Sequence, residues 1–279
     1  MPTNLACNVQ RVKKLLLLPA AALLLTSCTV MDVVGPRANG EIMALAKQAS
    51  ADWVFGDPGR EQWREMRQKQ SEELKNEALR LCGLDAQGQT PASCDVGFGD
   101  TDLPAEGNAS ALLEHTVAAA DKVPDESVDL IVAQAIDALT LSPVDLEPVT
   151  ETVSDAADTE AARDMLAREN AVYYGLGLAL AYADADLRER VGELREASHE
   201  RTAALTRVLD IADGESLVPA AGYEFAEGYG EPANTEEAAQ LVKTMQSDLV
   251  AQWRYAAAHA ESATWRGDAI RLAAHAQRV

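Results

Sequence analysis

Apolar residues recur at helical spacing along most of this chain, and no useful stretch alternates with the two-residue period of a strand. The pattern predicts helices over 40–55, from Asp57-Pro58 to Gly83, and over about 108–121, 125–140, 159–184, 186–212, 234–261 and 264–277. Asp57 followed by Pro58 is a typical helix start, and Gly83 is a typical stop. We therefore expect an all-α fold.

The last four predicted helices form a set of their own. Three are long and one is shorter, and a long connection over 213–233 separates the middle two. Four helices with one long connection are typical of a ferritin-like four-helix bundle, which we expect over 159–279. A smaller helical region over 40–140 precedes it. Between them, residues 141–158 contain Pro143, Pro148 and several acidic residues, and are predicted to be a linker.

The N-terminus carries an export signal. Basic residues Arg11, Lys13 and Lys14 precede an apolar run over 15–25, which is shorter than the roughly 20 residues that span a bilayer. Leu25-Thr26-Ser27-Cys28 follows and resembles a bacterial lipobox. The resemblance implies a signal peptide over 1–27, a diacylglyceryl group on Cys28, and an anchor and tether over 28–39.

This interpretation places the protein on the extracytoplasmic face of the cell membrane, held by lipid on its N-terminal cysteine. The alternative is an ordinary cleaved signal peptide and a soluble secreted protein. The chain has a net charge of −21. So acidic a surface repels nucleic acid, which excludes DNA or RNA as a partner.

Two cysteines remain for structure after Cys7 is removed with the signal and Cys28 is lipidated. Cys82 and Cys94 flank a stretch that is typical of a loop, in a chain expected to be exported, and we expect a disulfide between them. A loop of this length contributes about 3 kcal/mol in the chain-entropy model. A metal pair would need further His or Cys nearby, and a redox pair is more often Cys-x-x-Cys.

Two charged residues fall on the apolar faces of predicted helices. Glu169 lies among Met165, Val172 and Leu176, and Arg201 lies among other apolar residues of the next helix. Because a lone buried charge costs several kcal/mol, we expect the two to pair. Glu196 and His199 have the Glu-x-x-His spacing of a metal-binding bundle, but helical phase places both on the surface. Trp253 and Trp265 are expected to cover the bundle ends.

The second half resembles a known family. The segment Arg168-Glu169-Asn170-Ala171-Val172-Tyr173-Tyr174-Gly175 is similar to the first-helix pattern of an actinobacterial ferritin-like domain of unknown function. His199–Leu205 is similar to its second-helix pattern, with Thr202 where Asp is usual, and Pro219–Tyr223 resembles its inter-helix loop. Arg266 also fits. The resemblance covers about 160–279 and implies a bundle, often in a lipoprotein, and no established activity.

These observations favour a non-catalytic interaction or scaffold protein of the cell envelope, with a protein partner and no cofactor. The sequence offers no Ser/His/Asp arrangement for nucleophilic catalysis. The alternative is a metal-binding or di-iron protein, with iron or manganese held by Glu169, Asp248 and His259. A third hypothesis is a small-ligand site at the seam between the two halves.

Overall fold

Eight helices make up the regular structure of the residues that the computed structural model describes, which are 35–99, 101–209 and 229–279, and these residues contain no strand. The helices of the first half are α1 (Gly40–Phe55), α2 (Glu61–Cys82), α3 (Ala109–Ala120) and α4 (Asp125–Leu139). Those of the second half are α5 (Ala156–Ala179), α6 (Ala185–Val208), α7 (Thr235–Ala258) and α8 (Ala263–Arg278). The all-α prediction is confirmed.

Side-chain caps explain where most helices begin. Oxygens of short polar side chains accept backbone N–H groups of the first turn, as is usual for Asn, Asp and Ser. The capping residues are Asn39, Asn108, Asp155, Asp184, Asn234 and Ser262. Glu237 completes the cap of α7, since its carboxylate accepts the backbone N–H of Ala233 at 2.8 Å.

The predicted cap of α2 is wrong. Asp57 and Pro58 belong to a turn that precedes the helix, and Asp57 Oδ1 accepts the N–H of Gly59 at 2.9 Å. Arg60 occupies the cap position and makes no side-chain capping bond. The end of α2 is as predicted, because Gly83 follows it with φ of 70°, which favours glycine.

The second-half helices form a ring. α5 packs along α6 and α7, and α8 packs along the same two helices. The order around the ring is therefore α5, α6, α8, α7, with α6 and α7 at opposite corners. The predicted continuation of α6 to 212 and most of the 213–233 connection lie outside the described residues.

The first-half helices pack onto this ring. α1 packs along α2, α3 pairs with α4, and both α3 and α4 contact α8. One buried apolar core includes residues of all eight helices. A smaller core lies between α5, α6 and α7, with Leu176, Leu194 and Met245 among its members. Residues Pro36–Val279 form one compact unit.

Residues 141–155 of the predicted linker are irregular chain packed on α6, and 156–158 form the start of α5. Val149 is fully buried, and the N–H of Val153 donates to the carbonyl of Val208 at 2.8 Å. Arg207 of α6 donates to the carbonyl of Leu146 at 3.1 Å. This packing brings residues 144–147 beside α6.

The two remaining cysteines lie together at the end of α2. The Sγ atoms of Cys82 and Cys94 are 2.00 Å apart, at disulfide distance. The bond ties the end of α2 to the following loop, as expected from the sequence. Cys28, with the rest of 1–34, lies outside the described residues.

Candidate functional site

Glu169 lies at the centre of the second-half ring. Helical phase on α5 directs it inward, and it is 0% exposed. Its carboxylate accepts Trp253 Nε1 from α7 at 2.7 Å and Ser198 Oγ from α6 at 2.7 Å. Both oxygens are thus hydrogen-bonded, which removes much of the cost of burying the carboxylate.

Arg201 of α6 supplies the positive charge for this carboxylate. Its guanidinium is 1% exposed and donates through Nε to Glu169 Oε1 at 2.6 Å and through Nη2 to Oε2 at 3.1 Å. This two-pronged geometry is the strongest form of an arginine–carboxylate pair. The structure therefore brings together the two residues that the sequence predicts to pair.

His275 of α8 continues the network. Arg201 Nη1 lies 3.3 Å from His275 Nδ1, and His275 Nε2 lies 2.9 Å from Glu200 Oε2. Because a guanidinium can only donate, Nδ1 must accept, so we assign a neutral imidazole with its proton on Nε2, directed at Glu200. Burial, reinforced by the charge of Arg201, lowers the pKa of His275.

The network ends at a surface groove of about 700 Å³. The Glu200 side chain is 54% exposed at the mouth of this groove. We call it the His275 groove, and its walls are Val144, Asp145, Leu146, Glu147, His199, Glu200, Ala203, Arg207 and His275. A continuous polar path thus leads from the buried carboxylate to solvent.

The donor set at the ring centre does not fit a metal ion. Ser198, Trp253 and Arg201 take the hydrogen-bonding positions of both Glu169 oxygens, and Arg201 places a fixed positive charge beside them. A divalent cation on this carboxylate would lie beside the guanidinium charge, and the repulsion disfavours its binding. The arrangement is a buried set of hydrogen bonds between charged and polar side chains of three helices.

The structure does not bring the alternative ligands Glu169, Asp248 and His259 together. Asp248 accepts the hydroxyl of Tyr229, and the ring of His259 stacks on Tyr255 with centroids 3.9 Å apart. Within the described ranges, no group of three or more His, Cys, Asp or Glu side chains converges to hold a metal. Glu196 and His199 are exposed, as helical phase predicts.

A second buried network holds the first-half helices together. Arg67 of α2 donates through Nε to Asp52 Oδ2 of α1 at 2.9 Å, and also contacts Gln70. Gln70 Nε2 donates to the carbonyl of Gln134 in α4 at 3.0 Å. Burial lowers the pKa of Arg67, which the charge of Asp52 opposes. These bonds fix the register of three helices and leave no group directed to a ligand.

Sequence reasoning missed several members of both networks. Trp253 does not cover a bundle end but is fully buried and donates to Glu169. Glu200 lies within the second-helix pattern His199–Leu205, which gave it no role, and for His275 the sequence offers a histidine among the alanines of the last turns of α8. The Asp52–Arg67 pair joins two helices, and no motif in the sequence predicts it.

Comparison with known proteins gives one result, in the second half. Residues 161–279, which cover all of the ring except the first turn of α5, match the family model of a domain of unknown function, DUF4439. No curated protein and no solved structure matches the chain. Among the described residues, no helix is both long and apolar enough to cross a bilayer.

Proposed function

We propose that this protein is a lipid-anchored lipoprotein of the extracytoplasmic membrane face, with a ferritin-like helical domain that acts by interaction or as a scaffold and not by catalysis. The absence of catalysis is proposed because the Arg201 guanidinium pairs with the buried Glu169 carboxylate at the ring centre. In ferritin-like metalloproteins, inward carboxylates and histidines from the four helices bind the metal ions.

The order of helices supports the ferritin-like assignment. α6 and α7 lie at opposite corners of the ring, and the long stretch 209–234 joins them in sequence. A four-helix bundle with one long crossover is the ferritin-like connectivity, whereas short loops join neighbours in a simple up-and-down bundle. The match to a domain of unknown function over the same residues is compatible with this assignment.

The lipid anchor rests on the N-terminal sequence. The basic cluster, the short apolar run and Leu25-Thr26-Ser27-Cys28 together make up a lipoprotein signal. The net charge of −21 repels anionic headgroups, so attachment through the protein surface is unfavourable. Membrane retention of the protein should therefore depend on Cys28.

Fractionation of cells that express Cys28→Ala tests the anchor. The wild-type protein should sediment with membranes, resist a high-salt wash and dissolve in detergent, while Cys28→Ala should be released. Cys7→Ala is the matched control, since it removes a thiol from the signal peptide and should leave retention unchanged. Membrane retention of Cys28→Ala equal to that of wild type would overturn the anchor.

A further inference from the structure

A second groove, of about 660 Å³, lies where α3 and the irregular segment 140–155 meet α8. We call it the Asp268 groove. Its walls include Leu113, Val117, Asp121 and Lys122 on the α3 side, and Asp268 and Arg271 on α8. It shares no residue with the His275 groove.

Asp268 is an incompletely satisfied side chain in this groove. The residue is 8% exposed, and its Oδ2 has no hydrogen-bond partner in the described part of the chain. A buried carboxylate oxygen without a donor is rare in folded proteins, because it costs the full desolvation of that oxygen. Asp268 lines the groove, and a small rotation of its side chain would turn the carboxylate toward a ligand there.

Acidic side chains outnumber basic ones in the lining of the Asp268 groove. Glu114, Asp121 and Glu151 are the other acidic residues of the groove, and Lys122 and Arg271 are its basic residues. Asp121 is already engaged, since Arg266 Nη1 donates to its Oδ1 at 3.0 Å. Apolar contacts are available from Leu113, Val117 and Pro148.

We propose that the Asp268 groove binds the primary ammonium group of an alkylamine, with Asp268 as the acceptor of its N–H donors. An ammonium group carries three donors and a positive charge, which satisfies the oxygen that the fold leaves without a partner. The methylene chain packs on the apolar wall. This ligand site goes beyond the scaffold role, and the amine is either a free molecule or the side chain of a partner's lysine.

A metal ion suits this groove less well than an ammonium. Three or more converging His, Cys, Asp or Glu ligands are not found in the described part of the chain. An anion is disfavoured because the acidic groups of the groove outnumber its basic groups.

Binding should depend on pH. Burial raises the pKa of Asp268 to about 7; the charge of Arg271 opposes this rise, and that of Glu151 adds to it. Glu114, Asp121 and Lys122 are the charged groups that line the groove from the α3 side. Because the ammonium needs an ionised Asp268, its affinity should fall as the pH is lowered from 8 to 6.

Calorimetric titration of the detergent-solubilised full chain with cadaverine tests the site. We expect one amine per chain at pH 8, binding at least tenfold weaker in Asp268→Asn, and unchanged binding in Asp129→Asn, which removes an exposed carboxylate on α4. Glu151→Gln should weaken binding by less than Asp268→Asn and serves as the second variant. Asparagine keeps the size of the side chain and removes a charge that burial disfavours, so Asp268→Asn should fold.

A capped lysine peptide, titrated in parallel, distinguishes the two sources of the ammonium. Tighter binding of the peptide indicates a partner's lysine, and tighter binding of cadaverine indicates a free amine. Equal affinity of wild type and Asp268→Asn for both probes would overturn the proposal, as would the absence of binding at pH 8.

Discussion

The Glu169–Arg201 pair is the residue-scale feature on which the second half depends. The carboxylate is fully buried and accepts from side chains of two neighbouring helices, so it fixes the rotation of α5, α6 and α7 about their axes. A buried pair adds little net stability, but loss of one partner leaves an uncompensated charge. The loss of stability on removing one partner therefore shows the role of the pair more clearly than the small net contribution of the intact pair.

Glu169→Gln should lower the free energy of unfolding by about 3–5 kcal/mol, because the Arg201 guanidinium remains buried without a negative partner. Urea unfolding followed by circular dichroism measures the loss. The double variant Glu169→Leu/Arg201→Met should be more stable than Glu169→Gln. Glu193→Gln is the control, since Glu193 forms an exposed pair with Arg190 at 3.2 Å and should change stability by less than about 1 kcal/mol. A Glu169→Gln variant as stable as this control would contradict the assignment.

His275 predicts a pH dependence of stability. Burial lowers its pKa in the folded protein below that of an unfolded histidine, about 6.5. Below that value the unfolded chain binds a proton that the folded chain resists, so stability falls as the pH drops from about 7 to 5. His275→Gln should remove part of this fall. His199→Gln, an exposed change in the same groove, is the control and should leave this fall in stability unchanged. Equal pH profiles of stability for wild type and His275→Gln would contradict the assignment of a neutral His275.

The two partners of the central pair could be predicted from sequence, but their neighbours could not. Helical phase alone places Glu169 and Arg201 on apolar faces, and the cost of a lone charge then requires them to meet. Trp253 and His275 enter through helices that are distant in sequence, and the rotation of those helices is set by packing. No local pattern encodes that rotation.

At the scale of elements, local chemistry predicts where helices begin and end. The predicted bounds 40–55 are those of α1, and Asn234 caps α7 as its spacing from Glu237 indicates. The error at Asp57 shows the limit of such signals. An Asp-Pro pair is compatible both with a turn and with a helix cap. Here it forms a turn, and Arg60 takes the cap position of α2.

Two glycines of α5 make a matched test of helix packing. A Cβ on Gly175 would lie 2.5 Å from Met245 Sδ of α7, whereas a Cβ on Gly177 would lie 3.6 Å from Arg195 Nη1, an ordinary contact. Gly177→Ala should raise stability by about 0.5–1 kcal/mol, because alanine is the better helix former. Gly175→Ala should lower it by about 1–3 kcal/mol through overpacking. Equal shifts in thermal unfolding would contradict the close approach of α5 and α7 at Gly175.

At the scale of the whole molecule, the helical periodicity of apolar residues predicted the all-α class of fold, but it did not predict how the two halves of the molecule pack together. The stretch 141–158 is polar and rich in proline, which favours a linker, yet Leu146 and Val149 are buried. The leucines and valines of this stretch follow no helical or strand period, so the sequence does not predict which of them are buried. The packing of α3 and α4 on α8, which creates the Asp268 groove, is likewise a property of tertiary contacts.

Metal analysis of the full chain tests most directly whether the ring centre is a structural ion pair. The protein is purified without chelator, offered iron, manganese and zinc, desalted, and measured by elemental mass spectrometry beside Glu169→Gln. We expect far less than one metal ion per chain, at the same level in both proteins. Near-stoichiometric iron or manganese in the wild type that is lost in a folded Glu169→Gln would contradict it and make the domain a metal-binding one.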